Sequence, residues 1–153
     1  MGNAWTPRNA DYAAMVQGSF ARQTLMATLG VRLERIAPGE VDLGMDHAPH
    51  LCQQNGFLHA GAIASLADSA NGYAAYSLAP AGTDVLAVEF KINLLAPARG
   101  ERFVAQGRVV RPGRTLTVCL CEVLAFEGTH SLPVATMLST LIIRPDEATA
   151  APR

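Results

Sequence analysis

The segment Gln53-Gln54-Asn55-Gly56-Phe57-Leu58-His59-Ala60-Gly61 leads into an apolar run, Ala62 to Leu78, that carries one acid, Asp68. A polar segment containing glycine that feeds an apolar run reads as a loop entering a helix. The first turn of a helix offers backbone N–H groups with no intrahelical acceptor, at the positive end of the helix dipole. Such a place suits an oxygen that is gaining negative charge. A carboxylate set among Ala, Leu and Ile is costly unless it has partners, a raised pKa or a chemical task. A free amide donor and a held acid together point to chemistry on a carbonyl group.

The surrounding pattern says what positions these groups. Asp11 to Leu29 reads as helical, in one piece or in two divided at the weak point Gly18-Ser19, with Tyr12, Met15, Val16, Phe20 and Leu25 near helical spacing and Gly30 as the stop. Val31–Ile36 and Glu40–Met45 read as strands joined across Pro38-Gly39, and 46–59 reads as a loop. The central helix is expected to end near Pro80 to Gly82. Val85–Leu95 alternates, with Val88, Phe90, Ile92 and Leu94 on one face and Glu89, Lys91 and Asn93 on the other. Phe103–Val110 and Thr115–Phe126 form a hairpin around Arg111-Pro112-Gly113-Arg114, and a last strand runs from Val134 to about Arg144. Strands joined by short turns imply an antiparallel sheet, and a helix apolar nearly all round is expected to be buried on most sides. The fold class is therefore α+β, a sheet wrapped around one long helix. The 153 residues make one domain, with its core at about 30–144, a helical segment at about 11–29 and a frayed tail at 145–153.

Half of the residues are hydrophobic and only 16% are charged, which leaves apolar surface for a second copy of the chain to cover. A net charge of −1 and the lack of any Lys/Arg run exclude an electrostatic footprint for nucleic acid. The apolar stretches are too short or too interrupted to span a membrane, and Met1 to Ala10 lacks the pattern of a signal peptide. Cys52, Cys119 and Cys121 have neither metal nor disulfide spacing, and Cys119 and Cys121 share a strand face as small fillers. These features fit a reducing cytoplasm. His47, His50 and His130 show no ligand spacing, so no metal is expected. Gly-x-Ser-x-Gly and Gly-x-Gly-x-x-Gly are both absent, which argues against a serine hydrolase and a dinucleotide site.

The element order, with Asn55-Gly56 ahead of Leu58-His59-Ala60-Gly61 and Leu66-Ala67-Asp68 within the helix, resembles the hotdog-fold acyl-CoA thioesterases. Among them it is most similar to the phenylacetate-pathway (PaaI-like) group. The similarity extends over roughly Gly30 to Arg144 and includes Phe90 to Ala98, a strand ending in a Pro-Ala pair. The resemblance implies that the Ala60 N–H binds the thioester oxygen and that His59 shapes the loop. It also implies that Asp68 is the catalytic carboxylate, as general base or as nucleophile, and that Gln53 lies near the attacking water. His59-Ala60-Gly61 stands where the family has His-Gly-Gly. Ala87 stands where a Ser or Thr is common, which leaves water positioning to Gln53 or Asn55. No metal or organic cofactor is implied, and coenzyme A enters as part of the substrate. A hydratase or dehydratase of the same fold acting on enoyl-CoA, and a non-catalytic acyl-CoA-binding protein, are the alternatives.

Ala60 and Asp68 are eight positions apart, about 12 Å along a helix axis, too far for one thioester carbonyl to engage both. Two antiparallel copies of the helix would bring Ala60 of one chain beside Asp68 of the other, so a homodimer with shared sites, alone or as a dimer of dimers, is expected. Gly61, Ser65, Asp68 and Gly72 fall on one helical stripe, small except for the acid, which either leaves room for substrate or permits close packing. Gly61, Gly56 and Ser65 are accordingly candidate site positions. Tyr73 and Tyr76 either line an acyl pocket or belong to the core. Arg108, Arg111 and Arg114 around the hairpin are candidate partners for coenzyme A phosphates, or else solvated surface.

Overall fold

The computed structural model describes residues 5–146. The elements are α1 (Tyr12–Phe20), α2 (Thr24–Thr28), β1 (Arg32–Ala37), β2 (Glu40–Asp46), a 3-10 turn (Pro49–Leu51), α3 (Ala60–Tyr76), β3 (Thr83–Leu94), β4 (Arg102–Arg111), β5 (Leu116–Glu127) and β6 (His130–Pro145). The strands form a six-stranded antiparallel sheet in the order β1-β2-β4-β5-β6-β3, and α3 packs against five of them. This is the hotdog arrangement expected from the sequence.

The core is the seam between α3 and the concave face of the sheet. Ile63, Leu66, Ala67, Ala70 and Ala74 of α3 are buried against Leu43, Met45, Phe103, Ala105, Cys121, Val123 and Met137. Alternation places those strand residues on one face, as the period of two requires. The helix comes so close to β4 that a Cβ on Gly107 would lie 2.4 Å from the Ala70 carbonyl oxygen and 2.8 Å from the Asn71 nitrogen. Helix and strand backbones therefore touch, and only glycine fits the contact. A buried polar pair registers the helix on β6, where Asn71 Nδ2 donates to Ser139 Oγ at 2.8 Å. Cys119 and Cys121 are fully buried fillers, and burial pushes the Cys119 thiol up to about 12, which makes it inert.

The N-terminal segment, in which Gly18-Ser19 leaves two pieces open, is two helices, broken a little later at Ala21–Gln23, with Gly30 (φ 68°) closing the second. Two expectations change. The last strand begins at His130 rather than Val134. Pro133 is tolerated there because it lies beyond the final β3–β6 pair, Leu94–Ala135, so β6 has a neighbour on one side only. The helix α3 is not buried on most sides. The sheet covers one side, while Ala60 and Gly61 are exposed and Ala64, Ser65, Asp68, Ser69, Gly72 and Tyr76 are half-buried along one stripe. The tail expected at 145–153 falls, beyond Asp146, outside the described residues.

β3 is an edge strand. Phe90, Ile92 and Leu94 pair with the buried residues Ser139, Met137 and Ala135 and so share the concave face, yet Phe90 is 45% and Leu94 56% exposed. Replacing Gly107 by Ala should force α3 off the sheet and cost about 1–3 kcal/mol of stability, the usual penalty of overpacking. Chemical denaturation of wild type and Gly107→Ala measures it, with an unchanged midpoint as the contrary result.

Candidate active site

The loop before α3 is held by its own hydrogen bonds. Gln53 N donates to Phe57 O at 2.8 Å and Gly56 N to Gln53 O at 3.0 Å, with Gly56 at φ 83° where the chain reverses. Gln53 Oε1 accepts from Asn55 N, so this side chain is engaged in holding the turn. His59 N donates to Leu51 O at 2.9 Å, and Leu58 N to Ala98 O at 3.1 Å, which ties the loop to the β3–β4 connection.

His59 is the N-cap of α3. Its Nδ1 accepts from Gly61 N at 2.8 Å, the task usually given to Ser, Thr, Asp or Asn. An accepting Nδ1 assigns the proton of the neutral ring to Nε2. A Cβ on Gly61 would lie 3.0 Å from Nδ1, so the small residue lets the ring fold over the helix start. Ala60 N–H, the first donor of the helix, has no acceptor among the described residues and is exposed. Among the described residues none other than glycine has positive φ, so alanine fits position 60 without strain.

Asp68 lies on the stripe of α3 that the sheet leaves uncovered. It borders a cavity of about 280 Å³ whose lining includes Gln23, Gly72, Tyr73, Tyr76, Asp84 and Ala87. Asp68 Oδ1 is buried and has no hydrogen-bond partner. Burial raises the Asp68 carboxyl above the ordinary carboxylate range, with no opposing charge nearby to hold it down. Such a group accepts a proton more readily than a solvated aspartate and offers a free lone pair to a molecule in the cavity.

The roof of this cavity comes from the N-terminal helices, which the motifs did not implicate. Ser69 Oγ donates to Gln23 Oε1 at 3.2 Å, Phe20 meets Tyr73 edge-on at 5.7 Å between centroids, and Ser19 reaches the lining. Asp84 adds a second carboxylate, with Oδ1 accepting from Val85 N at 2.8 Å. Tyr73 and Tyr76 line the cavity, and burial raises both phenols. No spacing rule links Gln23 or Asp84 to Asp68; Asp84 shows itself only as a charge at the start of the apolar strand β3.

Within one chain, Asp68 and the Ala60 loop do not share a pocket. Ser65 Oγ is turned back to Gly61 O at 2.8 Å, and Ala87 lines the cavity opposite the acid. Arg108 is not free for phosphate, because Nη1 pairs with Asp42 Oδ1 at 2.8 Å on the outer side of the sheet. Arg111 and Arg114 stand at the β4–β5 hairpin and line neither the cavity nor the loop. No group of three His, Cys, Asp or Glu able to hold a metal occurs among the described residues. No helix there is long and apolar enough to cross a membrane.

Comparison with known proteins places this geometry. The family model described as the thioesterase superfamily matches residues 55–131, the stretch from the loop through α3 to the start of β6. A thioesterase family protein from Silicibacter pomeroyi, solved by crystallography, is 50% identical, covers 88% of this chain and 99% of its own, and superposes with a TM-score of 0.87. The E. coli PaaI protein from the phenylacetic acid degradation operon is 19% identical, with 88% and 94% of the two chains covered and a TM-score of 0.79, a likeness of fold. A curated Halobacterium salinarum protein with an esterase name is 32% identical over 119 residues, covering 74% of this chain and 78% of its own. The matched segment begins at Asn55 and contains both the capped start of α3 and its buried acid, and on these matches the chain belongs to the thioesterase superfamily.

Proposed function

We propose that this protein hydrolyses acyl-CoA thioesters to a free acid and coenzyme A, in active sites shared between two copies of the chain. The observation that carries the reading is the unpartnered, buried Asp68 Oδ1 facing a cavity, on a helix whose first N–H is also unpartnered. Asp68 takes the proton from water as the oxygen adds to the thioester carbon, and an Ala60 N–H receives the charge that develops on the carbonyl oxygen. Collapse of the tetrahedral species expels the coenzyme A thiolate, which is protonated on leaving. Attack by Asp68 itself would expel the thiolate and form a transient anhydride; where water then opens it at the aspartyl carbonyl, a single turnover in isotopically labelled water leaves the label in the Asp68 side chain, which the general-base route never does.

The second copy is called for by distance, since the two groups are eight residues apart along one rigid helix. The exposed start of α3 at Ala60 and Gly61 and the apolar, exposed face of β3 are the surfaces such a copy would cover.

Asp68→Asn should abolish thiol release from acyl-CoA while leaving the fold intact; near-normal turnover across a panel of aromatic, short and long acyl groups rejects the reading. The same panel, followed by loss of enoyl absorbance instead of thiol release, identifies a hydratase. Tight binding without either signal identifies a non-catalytic binder.

Stability should move the other way. A carboxyl whose folded pKa is raised costs stability at pH values above that pKa and costs nothing below its unfolded pKa. Asp68→Asn is thus expected to have a higher Tm than wild type at neutral pH, with the gain vanishing as pH falls through the ordinary aspartate range. In wild type, kcat/KM should fall on the acid side with an apparent pKa above that range, because the base must be ionised.

Ala60→Pro removes the donor at a position where proline suits a helix, and His59 already has the extended backbone (ψ 139°) that proline requires before it. Its kcat should drop by about 10²–10³, the usual cost of one oxyanion donor. Mixing Ala60→Pro with Asp68→Asn chains and allowing subunits to exchange should restore activity, since a mixed dimer has one site with both groups intact. No recovery after demonstrated exchange would mean that the sites are not shared.

A further inference from the structure

The Asp68 cavity has room for an acyl group, but a second cavity of about 560 Å³ lies on the other side of the loop that enters α3. Its lining includes His47, Asn55, Gly56, Phe57, Arg99 and Glu101. The lining segment Asn55–Phe57 continues directly into His59 and Ala60, so the cavity borders the same loop as the helix-start donor.

Arg99 distinguishes this place from the rest of the surface. Its guanidinium carbon lies 4.6 Å from the centroid of the Phe57 ring. It makes no ion pair or side-chain hydrogen bond among the described residues, whereas Arg32, Arg35, Arg102 and Arg108 are each paired with an acid. The contact with the Phe57 ring places the guanidinium, and its N–H groups make no hydrogen bond among the described residues, an arrangement that suits bidentate binding of a phosphate. The Asn55 amide and the Glu101 carboxylate, also without partners among the described residues, can accept from an exocyclic amine. Gly56 presents bare backbone, with nothing within 4 Å of where a Cβ would stand.

We infer that this cavity binds the phosphorylated adenosine end of coenzyme A, with Arg99, held by Phe57, as the phosphate ligand. The inference rests on the acyl-CoA reading above and adds to it the residues that grip the leaving group. It replaces Arg108, Arg111 and Arg114 as the phosphate contact, because Arg108 is engaged by Asp42 and the other two stand at a hairpin that lines neither cavity.

The test compares one acyl group carried on coenzyme A with the same group on N-acetylcysteamine, which has the thioester but no nucleotide. Wild type should prefer the coenzyme A ester in kcat/KM. That preference should shrink about tenfold in Arg99→Ala, the scale of one charge-assisted phosphate contact, with the loss in KM, and Arg99→Lys should recover part of it. Adenosine 3′,5′-bisphosphate should inhibit wild type competitively and Arg99→Ala weakly. An unchanged preference ratio in a folded Arg99→Ala overturns the inference, even if the free bisphosphate binds, and leaves the hydrolase reading standing. If wild type hydrolyses neither ester, the hydrolase reading fails by itself. Titration calorimetry of the bisphosphate against wild type and Arg99→Ala then decides the cavity: binding lost with Arg99 supports a nucleotide site, and equal or absent binding overturns it.

Discussion

The contact between α3 and β4 at Gly107 is the constraint on which the other features depend. With the Ala70 carbonyl resting against the strand backbone, the helix has no freedom to roll or shift along the sheet without opening the core. Ile63, Leu66, Ala67, Ala70 and Ala74 then face inward, and the stripe through Gly61, Ser65, Asp68 and Gly72 must face outward. Asp68 is buried by what borders the cavity on that side, namely Ser19 of α1, Gln23 and the first residues of the edge strand β3. The carboxylate is short of hydrogen-bond donors there because the neighbouring helical hydroxyls are engaged elsewhere, Ser65 with Gly61 O and Ser69 with Gln23.

Both ends of the proposed chemistry are set by α3. Its first turn is capped by an imidazole that satisfies Gly61 N–H and leaves Ala60 N–H open. Its middle carries the acid. A rigid rod holds these two groups at a constant separation, so in the proposed reaction the two groups of one chain belong to different sites. Precision comes at no entropic cost at the moment of reaction, because both groups are fixed by backbone and packing rather than by a mobile loop.

The sequence made much of this legible. Period-two alternation located the six strands to within a few residues, and turn residues identified the hairpins. The pairing of a polar loop with an acid in an apolar helix singled out Asp68 and Ala60. What it missed has physical reasons. Ser19 and Gln23 reach the cavity through the packing of the N-terminal segment against α3, and Asp84 through the placement of β3 beside it, and spacing along the chain contains no trace of either. The helix α3 looks apolar all round because alanine, glycine and serine suit a covered face and an uncovered, shape-permissive one equally well. Arginine counts cannot say which guanidinium is already paired: Arg108 stood out beside a turn yet faces Asp42, while Arg99, two residues beyond Pro97, belongs to no motif and meets Phe57 only in the fold. The role of Gln53 is likewise a matter of local bonding, since its side chain is folded onto Asn55 N–H.

The open border of β3 has a consequence for how the chain comes into being. A twelve-residue strand with unsatisfied backbone on one side and Phe90 and Leu94 uncovered is a template for any other extended polypeptide. In the shared-site proposal a second copy covers this edge, so newly made chains that have not yet paired are the vulnerable species. Under that proposal, synthesis faster than pairing favours disordered strand addition and inclusion bodies, whereas slow, cool expression gives each nascent edge time to be capped.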